Sequence, residues 1–247
     1  MRFRSISILT GLCCLALISK LQAQNSGVKS QYWNNLNVAW QISDNFFIGN
    51  TLSYNVLFDK ELPWSELSYS ATAVLRINSF LLGNGGMYIA ATNQSTDLNS
   101  VEIRPYIGIR ISSKLPKRWV ISNLTRIEWR NLIYSNDTND LAFRLRNRTN
   151  AAISINRKSL LDDHTLSLFA YFEAFHNLDN TVTERYFTTL KYKAGLAYRF
   201  SLQWRIDLGI LFNNSRNTID TPSQLPGNIV TNFILEWGLT YAIPNNN

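Results

Sequence analysis

From Gln31 onward, apolar and polar residues alternate with a period of two almost without interruption. Side chains of an extended strand point to opposite faces in turn, so this pattern predicts strands with one apolar and one polar face. Tyr32, Leu36, Val38, Trp40 and Ile42 alternate with Asn35, Asn37, Ala39 and Gln41. Val101, Ile103, Ile107, Ile109 and Ile111 alternate with Glu102, Arg104, Tyr106, Gly108 and Arg110. The last strand presents Ile229, Phe233, Leu235, Trp237, Leu239 and Tyr241 opposite Asn232, Glu236, Gly238 and Thr240. Short polar turns such as Ser43–Asn45 alternate with longer loops, the longest being Asn213–Asn228 with Pro222 and Pro226. About eleven strands can be counted, and most are long enough for the roughly 9–11 residues a tilted membrane strand needs. Bacterial single-chain barrels normally have an even number, so the count is expected to settle at ten or twelve. The least certain division is Phe80–Asn93, where Gly83-Asn-Gly-Gly86 reads as a kink or turn.

The strongest single pattern is a hairpin from Val120 to Asn156. Arg126, Glu128 and Arg130 share one face of its first arm, with Ile127 and Trp129 on the other. On the second arm Arg144, Arg146 and Arg148 oppose Phe143 and Leu145. The polar run Tyr134–Asp140 supplies the turn. Asn123, Asn147 and Thr149 interrupt the apolar face, an anomaly that a bulge or register change would explain.

The N-terminus does not follow the pattern. A short basic start, an apolar run from Ser5 to Ile18 and Leu21-Gln-Ala23 predict a signal peptide over residues 1–23, leaving 24–247 as the barrel. Leu12 before Cys13 argues against a lipoprotein. Both cysteines leave with the leader, so the exported chain has no disulfide and no cysteine-based metal site. Arg2, Arg4 and Lys20 leave too, lowering the formal charge of +7 by three. The charged fraction is 17%, below the roughly 25% of soluble domains. No later segment is a spanning helix, and a chain that crosses lipid without one must do so as a closed barrel.

Alternation alone also fits a soluble, lipocalin-like barrel, which inverts the faces. Three features favour lipid outside. The apolar face is nearly free of charge, aromatics gather near strand ends as interfacial girdles do, and the charged face mixes with Gly, Ser, Thr and Asn. The expected fold is therefore an all-β, antiparallel transmembrane barrel of ten to twelve strands. The leader, the all-strand body, Arg126-x-Glu-x-Arg130, Arg144-x-Arg-x-Arg148 and Tyr171-Phe-Glu-Ala-Phe175 resemble an uncharacterised bacterial outer-membrane barrel family, domain of unknown function 2490. The resemblance implies location in the outer membrane and brings no activity.

Cations outnumber carboxylates on the polar face about two to one. The candidate lumen or anion-binding residues are Arg126, Glu128, Arg130, Arg144, Arg146, Arg148, Glu173 and Arg185. They fit a salt-bridged structural lining first, and with it a narrow, anion-preferring channel or a binding barrel for a small anionic solute; the two can coexist. A structural or interaction barrel with a plugged lumen, using the Asn213–Asn228 loop, is the alternative. A lipid-modifying enzyme is a third class, but the chain has only two histidines. His164 lies on the face opposite Ser167, and His176 is expected to open a loop. No catalytic residue, metal site or cofactor is therefore assigned. The expected partner is outer-membrane lipid. Nucleic acid is not expected, because the aromatics lie on the face opposite the arginines, and binding it would need the two interleaved. Oligomeric state leaves no mark on the pattern.

Overall fold

The computed structural model describes residues 29–57, 64–94, 99–113, 118–178, 187–216 and 229–243. The expected leader, Arg185 and most of the Asn213–Asn228 loop lie outside these residues. Eleven strands follow one another: β1 (Lys29–Gln41), β2 (Phe46–Leu57), β3 (Trp64–Arg76), β4 (Leu81–Asn93), β5 (Ser100–Ser112) and β6 (Trp119–Tyr134). They continue with β7 (Asn139–Ser154), β8 (Thr165–Asn177), β9 (Phe187–Arg199), β10 (Trp204–Arg216) and β11 (Ile229–Ile243). Each pairs antiparallel with the next, and β1 closes the barrel on β11. That last pairing is parallel, with twelve register pairs from Lys29↔Asn232 to Trp40↔Ile243.

The count lies within the expected ten to twelve, but the even number does not hold among the described residues. An up-and-down meander with an odd number of strands can close only through one parallel pair. Residues 81–93, where the division was least certain, form the single strand β4. Gly83-Asn-Gly-Gly86 is neither kink nor turn; it pairs in unbroken register with Thr72–Leu75 and Tyr106–Ile109. The hairpin Val120–Asn156 is present as β6 and β7, the two longest strands, joined by a turn in which Asp137 takes a φ of 62°.

Burial is inverted relative to a soluble domain. Outward positions expose large apolar side chains on every strand, including Ile107 at 71%, Leu67, Leu168, Leu196 and Leu208. The most deeply buried side chains include Glu128, Glu173 and Asn232, each 0% exposed, and Arg130 at 2%. A hydrocarbon surroundings outside and a polar lumen inside satisfy both faces, and closure leaves no strand edge unpaired. Aromatic pairs sit on the outer face towards the strand ends: Trp204 on Tyr241 at 4.5 Å, Tyr198 on Phe200 at 4.9 Å, Trp129 on Phe143 at 5.6 Å.

The polar interruption of the outer face has its own explanation, and it is not a bulge. β6 and β7 stay in register from Trp119↔Ile153 to Ile133↔Asn139. Asn123 Nδ2 donates to Asn147 Oδ1 (3.0 Å) and Thr149 Oγ1 (2.9 Å), and Asn147 Nδ2 donates to Thr125 Oγ1 (2.7 Å). Four polar side chains thus satisfy one another where lipid offers no partner.

A charge placed on the apolar band tests this orientation. Ile107→Arg should lower the unfolding free energy by about 2–4 kcal/mol, measured by urea titration of tryptophan fluorescence in lipid vesicles. An unchanged midpoint would place Ile107 in water.

Candidate functional site

The lumen is organised by three carboxylates on the inward faces of β5, β6 and β8. Period-two alternation puts Glu102 and Arg104 side by side on β5, and Arg126, Glu128 and Arg130 on β6. The register then sets Glu128 opposite Arg144, Arg126 opposite Arg146, and Arg148 opposite Glu173. Glu102 accepts from Arg104 through Nε (2.7 Å) and Nη2 (2.5 Å), and from Arg130 through Nε (2.6 Å) and Nη2 (3.1 Å). Glu128 accepts from Arg126 Nε (2.5 Å) and Arg144 Nε (2.8 Å), with Arg146 Nη1 at 3.4 Å and Arg104 Nη1 at 3.9 Å. Arg144 Nη2 adds a second bond to the same Glu128 oxygen. Glu173 accepts from Arg146 Nε and from Arg148 through Nε (2.7 Å) and Nη2 (3.4 Å).

The chain of contacts is continuous, from Arg130 through Glu102, Arg104, Glu128, Arg146 and Glu173 to Arg148. Arg104, Arg126, Arg130, Arg144, Arg146 and Arg148 share Glu102, Glu128 and Glu173. The network therefore carries a net positive charge of three. Its guanidiniums are not equally accessible: the Arg130 side chain is closed off, whereas that of Arg148 is 27% exposed.

Aromatic rings set the guanidinium planes. Arg104 lies over Tyr88 (4.2 Å to the ring centroid), Arg126 over Tyr106 (4.3 Å), Arg144 over Phe175 (4.6 Å) and Arg148 over Tyr171 (4.7 Å). Tyr106 in turn rests on Gly86, where an added Cβ would come within 2.6 Å of its hydroxyl and 2.2 Å of the Ala71 carbonyl. The Tyr106 hydroxyl bonds Thr72 Oγ1 at 2.5 Å. Gly108 likewise leaves room for Arg126, whose Cβ would lie 2.5 Å from an added one. The sequence of layers is glycine, ring, guanidinium, lumen.

On the other side, Lys193 reaches Glu236 (3.1 Å) and Asp207 (3.6 Å), and Lys191 lies 4.6 Å over the Trp33 ring. The wall formed by β1–β3 contributes Asn35, Asn37, Thr51, Ser53, Ser68 and Ser70. Both walls line one cavity of about 530 Å³.

Seven of the eight residues singled out from sequence, Arg126, Glu128, Arg130, Arg144, Arg146, Arg148 and Glu173, meet in one network. Arg185 lies outside the described residues. Glu102 and Arg104 belong to the network but were left out of that set, although their spacing of two on an alternating strand marks them. Aromatics also share the arginine surface, against the expectation that they lie on the opposite face. His176 stands exposed near the end of β8 rather than opening a loop, and His164 bonds Tyr198 at 3.4 Å outside the lumen. Among the described residues no cluster of His, Cys, Asp or Glu suits a metal ion.

Removing one hub carboxylate should expose what it neutralises. Glu173→Gln leaves Arg146 and Arg148 facing each other without their shared anion. The expected loss is about 3–5 kcal/mol of unfolding free energy, read by urea titration in detergent micelles. A midpoint equal to the wild type would mean that lumen water and counter-ions, not Glu173, screen the pair.

No curated protein sequence matches the chain. Among solved structures, the NanC porin in its rhombohedral crystal form has the same fold, with a TM-score of 0.52 at 9% identity, covering 87% of this chain and 98% of the porin. The apolar exterior and this likeness together describe a membrane-embedded β-barrel. The family model described as a protein of unknown function, DUF2490, matches residues 30–224, most of the barrel, and the chain belongs to that family.

Proposed function

We propose that this protein is an outer-membrane barrel whose lumen is a narrow, anion-preferring passage or binding pocket for a small solute. The observation that carries this reading is the surplus of guanidinium over carboxylate around a single polar cavity. Unneutralised charge in a confined lumen needs water or a counter-ion, and a fixed cationic wall favours anions over cations entering it. On the facing wall Lys193 is matched by Glu236 and Asp207, so the cationic surplus sits on the arginine-bearing strands, with Lys191 added from across the cavity.

The near-complete burial of Glu128 and Glu173 favours a second reading. In it, the same network serves to tie β5–β8 together, and the barrel is structural. The two readings part on conductance.

Two measurements follow. The exported protein should fractionate with outer membranes and migrate differently on a gel when heated; recovery in a soluble fraction removes the location. In planar bilayers under a salt gradient, the reversal potential should show anion preference, and Arg146→Ala should reduce it. A folded barrel that stays electrically silent excludes the channel.

A further inference from the structure

We propose that Arg110, Arg126 and Arg148 form an oxyanion subsite in the lumen, which takes a carboxylate or a phosphate group. The proposal deepens the anion-preferring reading and rests on it. Arg110 of β5 and Arg148 of β7 both lie in register with Leu124, and Arg126 is the next inward residue along β6. All three line the central cavity.

Their bonding differs from that of the arginines beside them. Arg130 and Arg144 each direct two nitrogens at one carboxylate and are nearly closed off. Arg126 spends only Nε on Glu128 and lines the cavity. Arg148 holds Glu173 mainly through Nε, and is the most open member of the network. Arg110 has no carboxylate within ion-pair distance among the described residues, and its buried Nε donates to nothing. The charged groups acting most strongly on it are Arg148 and Arg126, both cations.

A buried donor without an acceptor is unfavourable, and so are three guanidiniums drawn together. One bound oxyanion would relieve both. Its oxygens can accept paired N–H bonds from more than one guanidinium fork, which a spherical halide matches poorly. The forks are held in place beforehand, Arg126 by Tyr106 and Arg148 by Tyr171, so little side-chain freedom is lost on binding.

The test is titration calorimetry on the full-length exported protein in detergent, with sodium phosphate and sodium acetate in separate runs at constant chloride. Saturable binding of either anion is expected, tighter acetate marking a carboxylate site and tighter phosphate a phosphate site. Arg110→Gln should weaken that binding by about tenfold. Because it also removes like-charge repulsion, its urea midpoint should stay level or rise, which a merely structural arginine would not show. Arg148→Gln is the second variant, with folding checked by the heat shift on a gel, and it too should weaken binding. Arg76→Gln, whose guanidinium sits over Phe47 at the end of β3, should bind as the wild type does. Absence of saturation in the wild type, or equal affinity in Arg110→Gln, overturns the subsite. Anion-selective chloride current without oxyanion binding would defeat the subsite alone. A silent barrel that binds the anion would defeat the channel alone.

Discussion

The barrel depends on guanidinium–carboxylate pairing within a closed ring of strands. A backbone cylinder in lipid satisfies its own hydrogen bonds but says nothing about what fills it. Here the filling is charged, and charge buried without partners would cost several kcal/mol per ion. Glu102, Glu128 and Glu173 prevent that by each serving two or more arginines, so that the network runs across β5, β6, β7 and β8. The same pairing that holds the wall together leaves it cationic, because three carboxylates cannot neutralise six guanidiniums. Stability and ionic character therefore come from one set of residues.

The rings and glycines beneath the arginines decide how that set is presented. A guanidinium on a flexible stem would sample many orientations and lose entropy on meeting a ligand. Stacked on Tyr106 or Tyr171, its plane is fixed while its outer edge stays open. Glycine is required where the ring must lie against the wall: at Gly86 any side chain would collide with Tyr106 and with the neighbouring strand. This is a packing requirement rather than a conformational one, since Gly86 continues an ordinary strand.

That distinction explains which features could be read in the sequence. Alternation located the hairpin, its inward arginines and its outward Ile127 and Trp129, because a period of two assigns faces without reference to other strands. Spacing could not show that Gly83-Asn-Gly-Gly86 lies in a strand, because the reason for Gly86 is the ring of Tyr106, its partner on the adjacent strand. Asn123 and Asn147 looked like breaks in register for the same reason: their justification is each other, across a strand pair. Glu102 and Arg104 carried the right spacing but stood outside the hairpin, and only the barrel's register brings Arg130 to Glu102. Parity was inferred from what is usual among barrels rather than from these residues.

The parallel seam gives the cylinder a single clasp. Every other joint links consecutive strands, whereas this one brings together segments about two hundred positions apart. It is fastened by more than backbone: Asn35 donates to Glu236 (2.6 Å), Asn37 to the Leu239 carbonyl (3.4 Å), and Trp237 to Asn34. Parallel ladders are slightly weaker per residue than antiparallel ones, so these amide rivets reinforce the joint where the hoop would otherwise part first. Closing the cylinder accordingly requires both terminal strands, and parting it at this joint means undoing the asparagines of β1.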